Sequence, residues 1–311
     1  MFRVAGVTSK MRSQHLARNR QLWREIVKHR RAYLYISPFF ILFAIFGVYP
    51  IVYSFVLSLN LWHSTKPWVF VGLGNYLDLL LRDPVFWTSL WNVVYILLLN
   101  VPLMTLLALI LAVVLNSEYL KLKDFFRVTY LIPYVTSVLS ISIVFYVLFD
   151  DHFGLINLAI NAIGLPGVQW LTSPSASKIS IVIVVTWKWV GYNMIIALAG
   201  LQNISPDIYD AAKIDGANKT TTFLRITIPL IRPVVMFLLI MSTIGTFNMF
   251  TEPYILTDGG PGYSSTTMVL HLYRTSFKYF KLGYGSSIAF VTFLFILIPS
   301  LIQVRYMAKR D

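Results

Sequence analysis

The chain has 311 residues, of which 57% are hydrophobic and 13% charged, and its mean hydropathy is +0.69. Soluble domains carry about a quarter charged residues, so this composition excludes a water-soluble fold. The formal net charge is +13, but the basic residues flank apolar segments and do not form a module with stacking aromatics, which disfavours a nucleic-acid partner. No cysteine is present, which excludes disulfides, thiolate metal sites and thiol catalysis.

The N-terminal segment is strongly basic. Nine Lys and Arg residues precede residue 33, against the single acid Glu25. We therefore predict that residues 1–32 form a basic cytoplasmic segment. The apolar stretch that follows is too long for the core of a signal peptide and has no obvious small-x-small cleavage site, so we expect it to be retained.

Six apolar runs are long enough to cross a hydrocarbon core, which takes about 20 helical residues. In chain order they are 33–60, 87–115, 125–149, 178–201, 228–250 and 285–306. The sequence thus predicts an all-α integral membrane protein with a six-helix domain over 33–306 and a short cytoplasmic tail, 307–311. Prolines inside the runs are expected to kink the helices and not to break them: Pro50, Pro102, Pro133 and Pro299.

The distribution of basic residues predicts the orientation. Nineteen of the 26 Lys and Arg residues lie in the N-terminal segment, in the 116–127 and 202–232 loops and at the C-terminal end from Arg305 onward, and six lie on the opposite side. Cytoplasmic loops carry such an excess, which places both termini in the cytoplasm. On the outer side, Leu155, Leu158, Ala159 and Ala162 recur at helical spacing, which predicts a short interfacial helix between spans three and four.

Polar and aromatic residues concentrate in spans four and five, in TWKWVGYNM (186–194) and STIGTFNMF (242–250). Aromatic faces and amide or hydroxyl groups suit a sugar, so these residues are candidates for a substrate pathway: Trp187, Tyr192, Asn193, Thr246 and Asn248. Contacts between spans are the alternative role for the same residue types. Lys188 is the one ionisable residue well inside a predicted span, which marks it as a functional candidate; snorkelling or a carboxylate of a partner are its alternatives.

The inner loop at about 205–222 has the pattern helix, sharp stop, helix. Ser205 can cap the first helix, Pro206 suits its first turn, and Gly216 can adopt the left-handed conformation that ends it. Ile208, Ala211 and Ala212 share one face, on which small side chains allow a close approach. This face fits either a groove on another protein or the chain's own bundle.

The run YDAAKIDGA (209–217), followed by Phe223, Ile226, Pro229 and Pro233, resembles the EAA loop of binding-protein-dependent ABC importer permeases, although Asp210 stands where that pattern usually has Glu. Three further stretches resemble the carbohydrate type, specifically the first permease of maltose and glycerol-3-phosphate importers: residues 70–94, 197–204 and 257–277. The resemblance spans about residues 38–303. It implies the type I importer permease fold and an ATPase-coupling role for Tyr209, Asp210, Ala211, Ala212, Asp215, Gly216 and Ala217.

The same resemblance implies a multi-pass protein of the bacterial inner membrane, in contact with lipid, a second permease, two ATP-binding cassette subunits and an extracytoplasmic substrate-binding protein. The sequence contains no G-x-x-x-x-G-K-[ST] loop, so ATP and Mg²⁺ are expected to be used by the partners, with no cofactor bound by this chain. The five histidines lack metal-binding spacing and no catalytic constellation is present, so neither a metal site nor an enzyme is predicted.

Two alternatives stay open beside the import of a sugar or oligosaccharide. An acidic or phosphorylated saccharide is suggested by Lys188 and by the outer basic residues Arg274, Lys278 and Lys281. A membrane-embedded scaffold or enzyme that shares a six-span bundle is the second alternative, and dependence on an ATPase distinguishes it from an importer.

Overall fold

The computed structural model describes residues 28–62, 67–117 and 120–308. Most of the predicted basic segment, residues 1–27, and residues 309–311 of the predicted tail lie outside the described residues. The chain divides into two compact units, Met1–Val56 and Leu57–Asp311.

Helix α1, Arg30–Ser58, corresponds to the first predicted span. Pro50 has no N–H to donate to the carbonyl of residue 46, which an α-helix requires. A π-helical turn at Ala44–Val48 precedes Pro50 and accommodates this loss without ending the helix. The expectation of a continuous helix at this proline is confirmed.

The second unit is helical apart from a small hairpin, in which β1 (Asn60–Leu61) pairs antiparallel with β2 (Val69–Phe70). The helices that follow β2 are α2 (Gly74–Arg82), α3 (Pro84–Asn116), α4 (Lys123–Val135), α5 (Val138–Leu148), α6 (Leu155–Ala162), α7 (Ala176–Gln202), α8 (Pro206–Ile214), α9 (Thr220–Leu230), α10 (Arg232–Phe247), α11 (Thr251–Thr257), α12 (Met268–Tyr273) and α13 (Leu282–Ala308). A π-helical turn, Arg274–Lys278, continues α12, and another, Phe223–Thr227, lies within α9.

Within the described parts of the chain, four helices are each long and apolar enough to cross a membrane: α1, α3, α7 and α13. The other two predicted spans are bent pairs, with 93° between α4 and α5 and 66° between the α9 helix and α10. Counting each pair as one span gives the predicted six. The continuity expected at interior prolines is confirmed for Pro102 and Pro299 and is wrong for the third span, where the helix stops soon after Pro133.

Each break has a local cause. Backbone angles at Thr136 and Ser137 are extended, and hydroxyl side chains of this kind compete with helical hydrogen bonding. In the predicted fifth span, the ring of Pro233 clashes with the carbonyl of the residue four positions earlier and supplies no N–H. Ile231 therefore leaves the helix, and the continuous helix starts at Arg232 and not at residue 228 as predicted.

Helix α3 is the centre of the second unit. It contributes Ala108 and Ala112 to a core shared with α7 and α10, and Ile96 to a core shared with α5, α7 and α11. Phe86 and Val93 join a third core with α2, α12 and α13. A small residue on α7, Gly191, lets α4 approach closely, since a Cβ there would fall well under 3.0 Å from the Tyr130 carbonyl oxygen.

The short helix predicted between spans three and four is confirmed as α6, and its position in the outer interface stays a prediction. Its buried Asn157 donates to the carbonyls of Asp151 and Val168 and accepts from the Val168 N–H and the Trp170 indole. One side chain therefore fixes both ends of the connection from α5 to α7. The acid at the start of this connection, Asp150, accepts from the N–H groups of Phe153 and His152, which lowers the pKa of its carboxyl.

Candidate functional site

A cavity of about 430 Å³ opens beside the break in the third predicted span. Its walls come from α3, α7, α10 and the segment that leads into α11, together with Val138 at the start of α5. The polar and aromatic residues that line it are Asn100, Lys188, Trp189, Tyr192, Asn193, Ser242, Thr246, Asn248, Phe250, Thr251 and Glu252. Such a mixture of aromatic rings, amides and hydroxyls is typical of a site for a small polar ligand.

Five of the six predicted pathway residues line this cavity: Lys188, Tyr192, Asn193, Thr246 and Asn248. Trp187 does not. Its side chain is 46% exposed and packs edge-on against Phe145 of α5, with ring centroids 5.3 Å apart.

A chain of buried hydrogen bonds joins three helices at the cavity wall. The Thr186 hydroxyl donates to Asn100 Oδ1 at 3.0 Å, and Asn100 Nδ2 lies 3.4 Å from Thr246 Oγ1. The Thr246 hydroxyl donates in turn to the Ser242 carbonyl at 2.8 Å. Because these groups satisfy one another, the wall is polar without a burial penalty from unpaired groups.

The two predicted amide residues that line the cavity each keep an acceptor unused. Asn193 Nδ2 donates to the Trp189 carbonyl at 3.2 Å, and Asn248 Nδ2 donates to the Ile244 carbonyl at 2.9 Å. Each amide thus uses a donor within its own helix, and its Oδ1 makes no hydrogen bond among the described residues. Carbonyl oxygens of this kind can accept hydrogen bonds from hydroxyl groups.

The two aromatic rings of α7 that line the cavity, Trp189 and Tyr192, pack against Tyr134 of α4. The ring of Tyr192 stacks on Tyr134 of α4 with centroids 4.6 Å apart and 18° between the planes. Trp189 meets Tyr134 edge-on at 5.3 Å. Packing therefore fixes the orientation of the rings before any ligand arrives.

Lys188 is 6% exposed, so it does not snorkel to an interface. Its ammonium donates to the backbone carbonyl of Thr136 at 2.9 Å, in the break between α4 and α5. Glu252 and Asn100 also line the cavity and were missed from the sequence. Trp189 and Phe250 line it as well; they lie within the two runs singled out above but were not named as candidates. The sequence feature that could have identified Glu252 is its position as an acidic residue two residues beyond the predicted span 228–250.

The inner loop folds as predicted, with α8 and α9 separated by a sharp stop. Gly216 has φ +77°, and the N–H groups of Gly216 and Ala217 donate to the carbonyls of Lys213 and Ala212. This is the Schellman pattern that ends a helix at glycine. At the other end, Ser205 Oγ accepts from the Asp207 N–H, at the long distance of 3.4 Å.

The faces of α8 differ in exposure. Ala212 is buried against its own subunit, and the Tyr209 hydroxyl lies 3.3 Å from Thr227 Oγ1. Ile208 and Ala211 are exposed, so the predicted face is divided between the bundle and the surroundings. Asp210 forms an exposed ion pair with Lys213 at 2.9 Å, and the predicted residues Asp215, Gly216 and Ala217 form the turn.

A second polar cluster lies where α3 begins. Asp83 caps α3 by accepting from the Val85 and Phe86 N–H groups, and its Oδ2 lies 2.9 Å from both His271 Nε2 and the Tyr284 hydroxyl. Burial alone would raise the pKa of the Asp83 carboxyl, but these hydrogen bonds outweigh it and lower the pKa to about 2. The cluster joins the starts of α3 and α13 to α12.

Residues 73–310 match the family described as the inner membrane component of binding-protein-dependent transport systems. The chain belongs to this family. It is therefore a transport permease and a multi-pass protein of the bacterial inner membrane, as predicted.

Curated relatives of the permease cover almost its whole length. It is 40% identical over 276 residues to the lactose transport system permease protein LacF of Rhizobium radiobacter, which is 87% of this chain and 92% of that protein. It is 34% identical to the arabinooligosaccharides transport system permease protein AraP of Bacillus subtilis, over 91% of each chain. The trehalose/maltose transport system permease protein MalF of Thermococcus litoralis is also 34% identical, over 90% of this chain and 95% of MalF.

A solved structure confirms the fold. The permease superposes with a TM-score of 0.80 on a chain of a bacterial ABC transporter involved in the import of the acidic polysaccharide alginate, over 93% of this chain and 99% of that one. The two are 22% identical, so the likeness establishes the shared type I permease fold.

Proposed function

We propose that the permease carries a sugar or oligosaccharide across the inner membrane and that the cavity beside the broken third span is part of the pathway. The observation that supports this most is the composition of the wall, which combines the amides of Asn193 and Asn248 with the aromatic residues Trp189, Tyr192 and Phe250. A sugar can donate hydrogen bonds from its hydroxyl groups to amide oxygens and can place its C–H faces against aromatic rings. LacF, AraP and MalF, which are similar over about nine-tenths of the chain, are permeases for saccharides.

The proposal includes a complex of several subunits. A second permease would complete the pathway, and a periplasmic binding protein would deliver the cargo, as the alginate-bound periplasmic protein in the complex of a second solved relative suggests. Two ATP-binding cassette subunits would hydrolyse ATP with Mg²⁺, because this chain has no phosphate-binding loop of its own.

The α8–α9 loop is the proposed contact with the ATPase. Its exposed Ile208 and Ala211 would enter a groove, while Tyr209 and Ala212 hold α8 on the permease. Movement of the ATPase would then reach α10 through α9, whose C-terminal end meets α10 at the 66° bend.

The absence of cysteine makes the pathway testable in the intact complex. Gly245 lines the cavity, and the position that a Cβ would take there has nothing within 4 Å, so Gly245→Cys adds a thiol without a clash. Lactose, arabinotriose or maltose should slow labelling of this thiol by a neutral maleimide in purified complexes. Ile163→Cys, on a residue that is 73% exposed outside the cavity, is the control and should label at an unchanged rate. Equal labelling of Gly245→Cys with and without all three sugars would contradict the proposed pathway.

A further inference from the structure

The ammonium of Lys188 has no hydrogen bond left to offer a ligand. A lysine carries three N–H donors. Three backbone carbonyls surround Lys188 Nζ: Thr136 at 2.9 Å, Tyr134 at 3.4 Å and Pro133 at 3.5 Å. The side chain is also 6% exposed, so little of it is open to the cavity.

The position of these carbonyls explains why a cation lies there. The last carbonyls of a helix lack partners within it and carry partial negative charge. Helix α4 stops at Val135 in the middle of a predicted span, where lipid offers these carbonyls no hydrogen-bond donor and the protein must supply one. The close approach of α4 to α7 at Gly191, one turn beyond Lys188, brings the ammonium within reach of this helix end. The positive charge of Lys188 therefore stabilises the carbonyl end of α4.

The second charged residue of the cavity is an acid. Among the described residues that line it, Lys188 is the only base and Glu252 the only acid, and the two interact electrostatically. Glu252 is 7% exposed and lies in the first turn of α11. Burial raises the pKa of the Glu252 carboxyl, and the nearby ammonium of Lys188 opposes this effect. The carboxyl can hydrogen-bond hydroxyl groups in either protonation state, and in its ionised form it also repels anions.

We infer that this cavity selects an uncharged, hydroxyl-rich saccharide and disfavours carboxylated or phosphorylated ones, with Glu252 as the specificity-determining residue and Lys188 as a positioning residue. The inference rests on the proposed function, because it assigns a class of cargo to the same cavity. An acidic cargo would meet the carboxyl of Glu252, and the ammonium of Lys188, the one cation among the described residues that line the cavity, already donates to three carbonyls. The alternative of an acidic cargo, which Lys188 suggested from the sequence, thereby loses its main support.

Charged thiol reagents can measure the electrostatics of the cavity without knowledge of the cargo. In complexes carrying Gly245→Cys, the rate of thiol modification is measured with the cationic trimethylammonium-ethyl methanethiosulfonate and with the anionic sulfonatoethyl methanethiosulfonate. Each rate is divided by the rate of the same reagent with Ile163→Cys, and the two quotients are compared. We expect the cationic reagent to be favoured several-fold, and Glu252→Gln to remove most of this preference. Asp78→Asn, which removes an exposed carboxylate on α2 outside the cavity, should leave the ratio unchanged. A preference for the anionic reagent, or a ratio that Glu252→Gln does not alter, would overturn the inference.

Sugar protection separates this inference from the proposed function. Lactose should protect Gly245→Cys, and lactobionate, which carries a carboxylate, should protect weakly until Glu252→Gln is introduced. Equal protection by both in the parent complex contradicts the charge selection and upholds the pathway. If lactose, lactobionate, arabinotriose and maltose all fail to protect the thiol, the proposed pathway is contradicted, and the inference about charge falls with it.

Discussion

Gly191 on α7 lies so close to Tyr130 on α4 that a Cβ on the glycine would overlap the tyrosine carbonyl. This contact is between backbones, so neither partner can move away by changing a side-chain rotamer. The contact lies one helical turn from Lys188, whose ammonium binds the end of α4.

Gly191→Ala is therefore expected to destabilise the permease, because α4 must shift and its end moves away from Lys188. Overpacking of this kind costs about 1–3 kcal/mol. Gly245→Ala is the matched control, since it makes the same change in a helix where nothing lies within 4 Å of the added carbon. Alanine is favoured over glycine in a helix by about 1 kcal/mol, so the control should be neutral or slightly stabilising. Thermal unfolding of the two variants in lipid nanodiscs checks this, and equal midpoints would contradict the close approach.

Much of the fold could be predicted because its causes are local. The length of the apolar runs predicted the long helices, and the helical spacing of apolar residues predicted α6. Gly216 and its flanking residues predicted where α8 ends. The partners of Lys188 could not be predicted, since they lie 52–55 residues earlier and become available only because α4 stops at Val135. Glu252 was missed for a similar reason: its place in the cavity depends on the turn after α10, which local pattern does not specify.

Asp83 is expected to stabilise the outer end of the permease through its bonds to α3, His271 and Tyr284. Asp83→Ala removes a helix cap, which alone costs about 0.5–2 kcal/mol, and leaves two half-buried polar groups, His271 and Tyr284, without their acceptor. The control Asp78→Asn breaks an exposed ion pair with Arg82 and should change stability by less than about 1 kcal/mol. A thermal midpoint for Asp83→Ala as high as that of the control would show that the cluster contributes nothing.

The lowered pKa of Asp83 also predicts how stability depends on pH. The folded carboxyl titrates at about 2, below the value of about 3.9 for an unfolded Asp. Its contribution is therefore complete above pH 3.9 and is lost as the pH falls towards 2. Between pH 5 and pH 3, the parent permease should lose more thermal stability than Asp83→Asn, and parallel curves for the two proteins would contradict the assignment.

The orientation predicted from basic residues can be tested with reporters. A fusion after Asp311 should behave as cytoplasmic, and an insertion near Gly260 should behave as exported. Gly260 follows α11 in the loop before α12, on the side with few basic residues. An exported C-terminal fusion would reverse the sides assigned to the α8–α9 loop and to the Asp83 cluster.

Variants in the α8–α9 loop can distinguish an effect on contact with an ATPase from an effect on folding of the permease. Gly216 has φ +77° and open space around the position of a Cβ, so a substitution there is strained by backbone conformation and not by a clash. Gly216→Val should cost about 1–3 kcal/mol of local strain and redirect α9. Gly216→Asn should be milder, because asparagine tolerates the left-handed region better than a β-branched residue does. We expect normal membrane levels for both variants and a larger loss of cargo-stimulated ATP hydrolysis for Gly216→Val.

The two neighbouring alanines make the sharper comparison, because Ala211 is exposed and Ala212 is buried. Ala211→Trp places an indole on the outer face, where it should block a groove on the ATPase while leaving the thermal midpoint of the isolated permease unchanged. Ala212→Trp should instead lower that midpoint, since the ring must enter the subunit's own packing, at a cost of about 1–3 kcal/mol or more. Asp210→Asn removes one partner of an exposed ion pair and should retain partial coupling. Stimulated ATP hydrolysis and cargo import by reconstituted Ala211→Trp complexes at parental rates would exclude this face of α8 as the contact with the ATPase.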